Sequence, residues 1–204
     1  MIRTRTPSDV DEPGAWHSAI TPSPDLLVQH ARPIVADLVG PGRMGLGTLL
    51  ATGDPMVVVD GICYRLDAGM CVCQVSPLER VRFATIVDFR HGSRFRIGYP
   101  VRRANVARLA AHVIGALPQL VAVELSGTFT GVTVPNGAFG RAAGTAVGFV
   151  TRTSPEQDCH LSFLTADRTF GGPILELSIE DVELKIVVPR VLYQARTVGS
   201  EVPE

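Results

Sequence analysis

Cys159-His160-Leu161-Ser162-Phe163-Leu164-Thr165-Ala166-Asp167-Arg168-Thr169-Phe170-Gly171-Gly172-Pro173-Ile174-Leu175-Glu176 is the stretch whose reading decides the fold. His160 to Thr165 reads as a strand, Asp167-Arg168 as a turn, Gly171-Gly172 as a second break, and Ile174 opens a further strand. Successive side chains of a strand point to opposite faces. Asp158, His160 and Ser162 therefore share one face, and Cys159 looks the other way. One carboxylate, one imidazole and one hydroxyl are thus expected on a single surface of a sheet.

The rest of the chain is compatible with a packed protein. Its 204 residues fit one domain or two small ones. Hydrophobic residues make up 46% and charged residues 19%, which excludes a disordered chain. The formal net charge is −1 with no block of like charges, so neither nucleic acid nor an anionic membrane is the expected partner. No apolar run reaches the roughly 18 residues of a membrane span, and the arginines near the start precede no apolar signal core. The expected location is cytoplasmic. Four cysteines, Cys63, Cys71, Cys73 and Cys159, read as free thiols. Cys71 and Cys73 alternate with Val72 and read as small buried residues of a sheet, because a zinc site would need paired Cys-x-x-Cys or nearby histidines.

Residues 1–24 carry Pro7, Pro13, Pro22 and Pro24 and read as a flexible lead-in with Trp16 as its one anchor. A short helix is expected at Asp25–Gln29 and another at Ile34–Val39, ended by Gly40-Pro41-Gly42. Gly42, Gly45 and Gly47 have the spacing of a phosphate loop, but no Lys-Ser or Lys-Thr follows and no parallel βαβ pattern surrounds them. Strands are expected at Met56–Asp60 and Ile62–Leu66, joined at Asp60-Gly61, then at Met70–Val75, Phe83–Phe89 and Arg94–Ile97. Arg102–Leu117 has one apolar stripe at helical spacing (Val106, Leu109, Ala110, Val113, Ile114, Leu117) and ends at Pro118; His112 beside the stripe reads as partly buried and structural. Six further strands follow: Leu120–Leu125, Thr128–Val134, Gly144–Thr151, His160–Thr165, Ile174–Ile179 and Val182–Val188. The polar tail after Tyr193 is expected to fray.

These short patterns, in this order, resemble the bacterial acetolactate decarboxylases over about Ile34 to Val188. Gly42-Arg43-Met44-Gly45-Leu46-Gly47-Thr48-Leu49 after Ala36-Asp37-Leu38, Val59-Asp60-Gly61-Ile62-Cys63-Tyr64-Arg65-Leu66, and the opening stretch each have a counterpart in that family. The resemblance implies an α/β (α+β) fold: a mixed N-terminal sheet with helices, over 25–118, and a C-terminal β-barrel-like half, over 119–204, around a central cavity. By the same analogy it implies a homodimer.

The resemblance also marks what has changed. The family binds zinc through His-x-His and a third histidine; the matching positions here are His160, Ser162 and Pro173. Thr48 matches a pocket threonine. The glutamate seven residues later becomes Pro55, and the arginine of the family Thr-Arg-Thr-Val-Pro segment becomes Val132. A zinc site needs at least three N, S or carboxylate donors, which Ser and Pro do not supply. Asp158, His160 and Glu176 are the candidate substitute ligands.

The expectation is therefore a metal-free, cofactor-free cyclase or isomerase acting on a large, apolar, polyketide-like small molecule, a pericyclase among the options. His160, Thr48 and Ser162 would be its catalytic groups, and Pro55, Val132, Pro173 and Glu176 would line the substrate site. The alternatives are a metal-dependent carboxy-lyase with substitute ligands and a non-catalytic small-molecule-binding relative.

Overall fold

A computed structural model describes residues 27–30, 33–115, 120–153, 156–189 and 192–196. The expected lead-in 1–24, with Trp16, and the expected helix end at Leu117-Pro118 lie outside these residues. Strands β1 (Leu27–His30), β2 (Arg43–Leu49), β3 (Pro55–Val59), β4 (Ile62–Leu66), β5 (Val72–Gln74), β6 (Val81–Asp88) and, from far along the chain, β15 (Leu192–Arg196) form a seven-stranded sheet. Its order is β1-β15-β6-β2-β3-β4-β5.

Two local expectations fail here for one reason. The helix expected at Asp25–Gln29 is replaced by β1, and the tail expected to fray after Tyr193 continues in β15 to Arg196. The two segments pair with each other in parallel, Leu27 against Leu192 through His30 against Ala195. Each finds its ladder partner at the opposite end of the chain, where no local signal reaches.

The expected hairpin is present. Asp60 (φ 53°) and Gly61 (φ 76°) both adopt left-handed geometry between β3 and β4, as a two-residue turn matching the strand twist requires. The glycines of β2 are structural. A Cβ on Gly45 would lie 2.0 Å from Thr85 O, and one on Gly47 2.5 Å from Phe83 O, so β2 approaches β6 as closely as it does only without side chains there.

The second sheet holds eight strands: β7 (Ser93–Ile97), β8 (Val101–Arg102), β9 (Leu120–Val134), β10 (Gly137–Phe139), β11 (Ala142–Thr153), β12 (Glu156–Thr165), β13 (Gly171–Pro173) and β14 (Glu176–Val187). Two pairs of expected strands have merged. β9 runs unbroken through Ser126-Gly127, and β14 through Glu180-Asp181. Register shifts absorb the irregularity: Gly131 pairs with Ser178 and Phe129 with Ile179, leaving Thr130 as an extra residue. A bulge bends a ladder without ending it.

This sheet is rolled. The β13 segment pairs with β12, yet after only two linking residues the chain enters β14 and pairs with β9: Ile174 N donates to Leu161 O (2.8 Å) and Leu175 N to Thr133 O (2.8 Å). The edges thus meet at one end. β13 covers only Ser162–Leu164 of β12, so the roll is not a closed barrel.

Among the described residues two helices complete a layered structure: α1 (Val35–Leu38) and α2 (Arg103–Ile114). Val35 and Leu38 pack with Leu49, Met56, Val58, Cys63 and Ile86 on the outer face of the first sheet. Val106, Ala107 and Ala110 of α2 pack into the roll with Phe129, Val132, Phe163 and Leu184. Between the sheets lie Met44, Leu46, Val57, Val59, Leu66, Phe89, Ala122, Val147, Phe149 and Leu164. Each fully buried Phe or Leu contributes about 1.5–3 kcal/mol, so this middle layer fastens the two sheets.

Helix α2 ends earlier than expected. Gly115 (φ 79°) provides a left-handed cap after Ile114, before Pro118 is reached. His112 is exposed instead of partly buried; two residues past Ala110, it has turned more than half-way round a helix of about 3.6 residues per turn. Cys71 and Cys73 are exposed too, against the expectation of burial, because β5 is a short edge strand. Cys63 and Cys159 are buried. No described helix is long and apolar enough to cross a membrane.

Candidate functional site

The two faces of β12 divide as the alternation requires. Cys159, Leu161 and Phe163 enter the packed roll, and Leu164 packs in the layer between the sheets. His160 and Ser162 share the face of Leu164. Phe149 lies opposite His160, Val147 opposite Ser162, and both belong to that inter-sheet layer. Pro173 pairs directly with Ser162 across β12 and β13. His160, Ser162 and Pro173 therefore form one patch.

Thr48 and Pro55 are cross-strand partners on the first sheet, in line with Met44, Leu46, Val57 and Val59, and so face the second sheet. Five of the seven expected positions thus belong to the facing surfaces of the two sheets. The other two do not. Val132 is 1% exposed and packs inside the roll beside Phe129 and Phe163; the extra residue Thr130 reverses the alternation ahead of it. Phe163 meets Phe129 edge-on at 5.0 Å, and Phe139 at 5.6 Å, so the interior around Val132 is filled with rings. Glu176 is exposed at the start of β14, opposite Thr133, and is not grouped with Asp158 and His160.

Asp158 is the partner of His160. His160 Nε2 lies 2.9 Å from Asp158 Oδ2, and Asp158 Oδ1 accepts from Cys159 N at 2.8 Å. The imidazole beside it is the main cause that holds the Asp158 carboxyl down to about 2. The carboxylate stays ionised at neutral pH and fixes the ring. The buried thiols cannot act as nucleophiles: burial pushes Cys63 and Cys159 each up to about 12.

A zinc ion does not fit these residues. Ser162 and Pro173 are not charged donors, and among the described residues no three of His, Cys, Asp and Glu converge. The substitute set Asp158, His160 and Glu176 is not brought together.

Two polar residues near this surface escaped the sequence reading. Glu124 stands in the cross-strand row Lys185, Glu124, Val147, Ser162, Pro173. Burial raises its carboxyl, partly countered by the Ser126 hydroxyl donating at 3.0 Å and by the charge of Lys185. A lone carboxylate in the apolar run Leu120–Leu125 was the available signal. Arg103, at the start of α2, donates from Nη2 to Cys159 O at 2.7 Å; nothing local marked it.

A separate groove of about 810 Å³, lined by residues including Val87, Asp88, Arg90, His91 and Val187, opens at the β14 side. None of the expected site residues lines it. Buried Ala122 and Phe149 separate Val187 from His160 in their shared row.

The family model for alpha-acetolactate decarboxylase matches residues 28–138, more than half of the chain. The chain belongs to the alpha-acetolactate decarboxylase family. Among curated family members, an alpha-acetolactate decarboxylase from Methanosarcina mazei is 28% identical over 176 residues, covering 72% of this chain and 59% of the relative. One from Streptococcus thermophilus is 25% identical, covering 72% of each. The chain thus spans about three-fifths of the length of the archaeal relative.

The crystal structure of alpha-acetolactate decarboxylase from Bacillus subtilis strain 168 superposes with a TM-score of 0.70 at 19% identity, over 83% of this chain and 82% of that one. A Staphylococcus aureus protein described as similar to alpha-acetolactate decarboxylase gives 0.67, also at 19%, over 80% of both. These likenesses establish the acetolactate decarboxylase-like fold. The range matched by the family model ends before His160, Ser162 and Pro173, so the divergence at those positions lies outside it.

Proposed function

We propose that this chain is a metal-independent cyclase or isomerase on the acetolactate decarboxylase scaffold, acting on a polyketide-like small molecule. The observation that carries the reading is the Asp158–His160 pair, at the face where the family resemblance puts its first zinc ligand. An imidazole held beside a carboxylate can serve as a proton-transfer device. Ser162 and Pro173 beside it add one neutral hydroxyl and an apolar ring.

Such a surface suits a reaction without net oxidation or group transfer. The His160 imidazole takes a proton from an acidic carbon of the substrate. The chain closes or rearranges, and the same imidazole returns the proton. Asp158 stabilises the transient imidazolium, and Ser162 donates a hydrogen bond to the developing oxyanion. Holding a folded chain in its reactive geometry contributes through proximity. Thr48 and Pro55 supply the facing surface.

Family membership favours a second reading, decarboxylation of 2-acetolactate. Both are tested on one purified sample. Native mass spectrometry identifies any small molecule that co-purifies, and 2-acetolactate is incubated with the chain before and after chelation. The proposal expects an acidic, multi-carbonyl molecule to be bound and its conversion to survive chelator and fail in His160→Ala. Carbon dioxide release from 2-acetolactate that stops on chelation supports the decarboxylase and sinks the cyclase.

A further inference from the structure

Cys71 and Cys73 are thiols that the packing leaves in solvent. Free cysteine is among the most buried of side chains, so two exposed ones, two residues apart, ask for an account. Val72 between them turns inward, paired with Leu66 and packed between the sheets. Alternation therefore sets both thiols on the outer face of the first sheet.

Their backbone is held from both sides. Cys71 N donates to Asp67 Oδ1 at 2.8 Å, and Cys71 O accepts from Asp67 N at 3.2 Å. Cys73 pairs with Arg65 of β4. Along the other edge Cys71 bridges Phe170, Val72 N donates to Thr169 O at 2.9 Å, and Gly171 N donates to Met70 O at 2.9 Å. Cys71 Sγ, by contrast, makes a long contact of 3.9 Å to Gly69 O, which a stronger bond to sulfur displaces.

Spacing decides what such a pair can take. Same-face neighbours on a strand stand about 6.6–6.8 Å apart at Cα. That is the upper end of the disulfide range of about 4.4–6.8 Å, and a backbone anchored on both edges resists closing up. An ion between the sulfurs replaces one bond of about 2.05 Å by two of about 2.3 Å, and spans the gap with the strand in place. Zinc asks for four ligands, and among the described residues no three of His, Cys, Asp and Glu converge. Soft thiolates select copper(I), a monovalent ion that two sulfurs satisfy in a linear arrangement. Two thiolates and one such ion leave one negative charge. Arg65, which also reaches Asp54 at 3.8 Å, is the cationic cross-strand neighbour of Cys73.

We propose that Cys71 and Cys73 form a two-thiolate site for a soft monovalent metal ion of the copper(I) class. The site goes beyond the reaction proposed above and takes no part in it: it lies on the outer face of the first sheet, and His160 lies on the second.

The test uses the reduced full chain in oxygen-free buffer, titrated against copper(I) held by a chromophoric chelator. One copper(I) per chain is expected to leave the chelator. Cys71 and Cys73 should then resist alkylation by iodoacetamide, read peptide by peptide in a mass spectrometer. Cys71→Ser and Cys73→Ser, both at exposed positions, should each lose the transfer. Should a serine variant not fold, the alkylation pattern of wild type decides. Transfer kept by either folded variant, or protection of only one of the two thiols, overturns the proposal. A Cys71–Cys73 disulfide formed by glutathione disulfide in the folded chain overturns it too, since the spacing then suits a direct sulfur–sulfur bond.

Discussion

Asp158 and His160 stand two residues apart on one face of β12, with Oδ2 of the carboxylate 2.9 Å from Nε2 of the ring. That contact ties a feature legible in five residues of sequence to the electrostatics of the site.

It has a measurable signature in acid. The Asp158 carboxyl is lowered from 3.8 to about 2, chiefly by its hydrogen bond with His160. A depressed folded-state value stabilises the fold above the unfolded value and loses that contribution as pH falls towards the folded one. Wild type should therefore lose this stability between about pH 4 and about pH 2. His160→Ala should show a smaller loss over the same window in urea unfolding. An unchanged acid limb in the variant would refute the pairing.

Glu124 carries the opposite sign. Burial raises its carboxyl, so the folded state binds the proton more readily than the unfolded one and stability falls as pH rises through that range. Glu124→Gln should match wild type near pH 4 and unfold at a higher urea concentration near pH 7 (Asp60, Lys185 and Arg94 are the charges acting on this carboxyl). A variant less stable at pH 7 would show that the attraction of Lys185 outweighs the cost of burial.

The patch also predicts how metal binding could be rebuilt. Ser162 and Pro173 are cross-strand partners, with Cβ atoms expected about 4.5–5.5 Å apart, and His160 shares their face. The double substitution Ser162→His with Pro173→His, combined with Asp158→Ala to release His160, should bind one zinc ion per chain by equilibrium dialysis. Binding by Asp158→Ala alone would mean that other donors already complete a site.

Thiol chemistry reads the two sheet faces directly. Cys71 and Cys73 are exposed, and Cys63 and Cys159 are buried with thiols pushed up to about 12. A chromogenic disulfide reagent should titrate two thiols quickly in the folded protein and four after denaturation. Three or four fast thiols would contradict the packing of β4 or β12.

What the sequence by itself determined is local. The Asp60-Gly61 hairpin, the apolar stripe of α2 and the sharing of one face by Asp158, His160 and Ser162 follow from turn chemistry and backbone periodicity over a few residues. The family patterns carried the order of elements. Only the tertiary structure decided which surface each face meets. One extra residue at Thr130 turned Val132 into the roll, a β15 partner made Leu27–His30 a strand, and the early end of β13 left a Cys159 carbonyl for Arg103, 56 residues away in the chain. Register shifts and long-range pairings are settled by the summed burial and hydrogen bonding of whole sheets, and no short stretch of residues contains that sum.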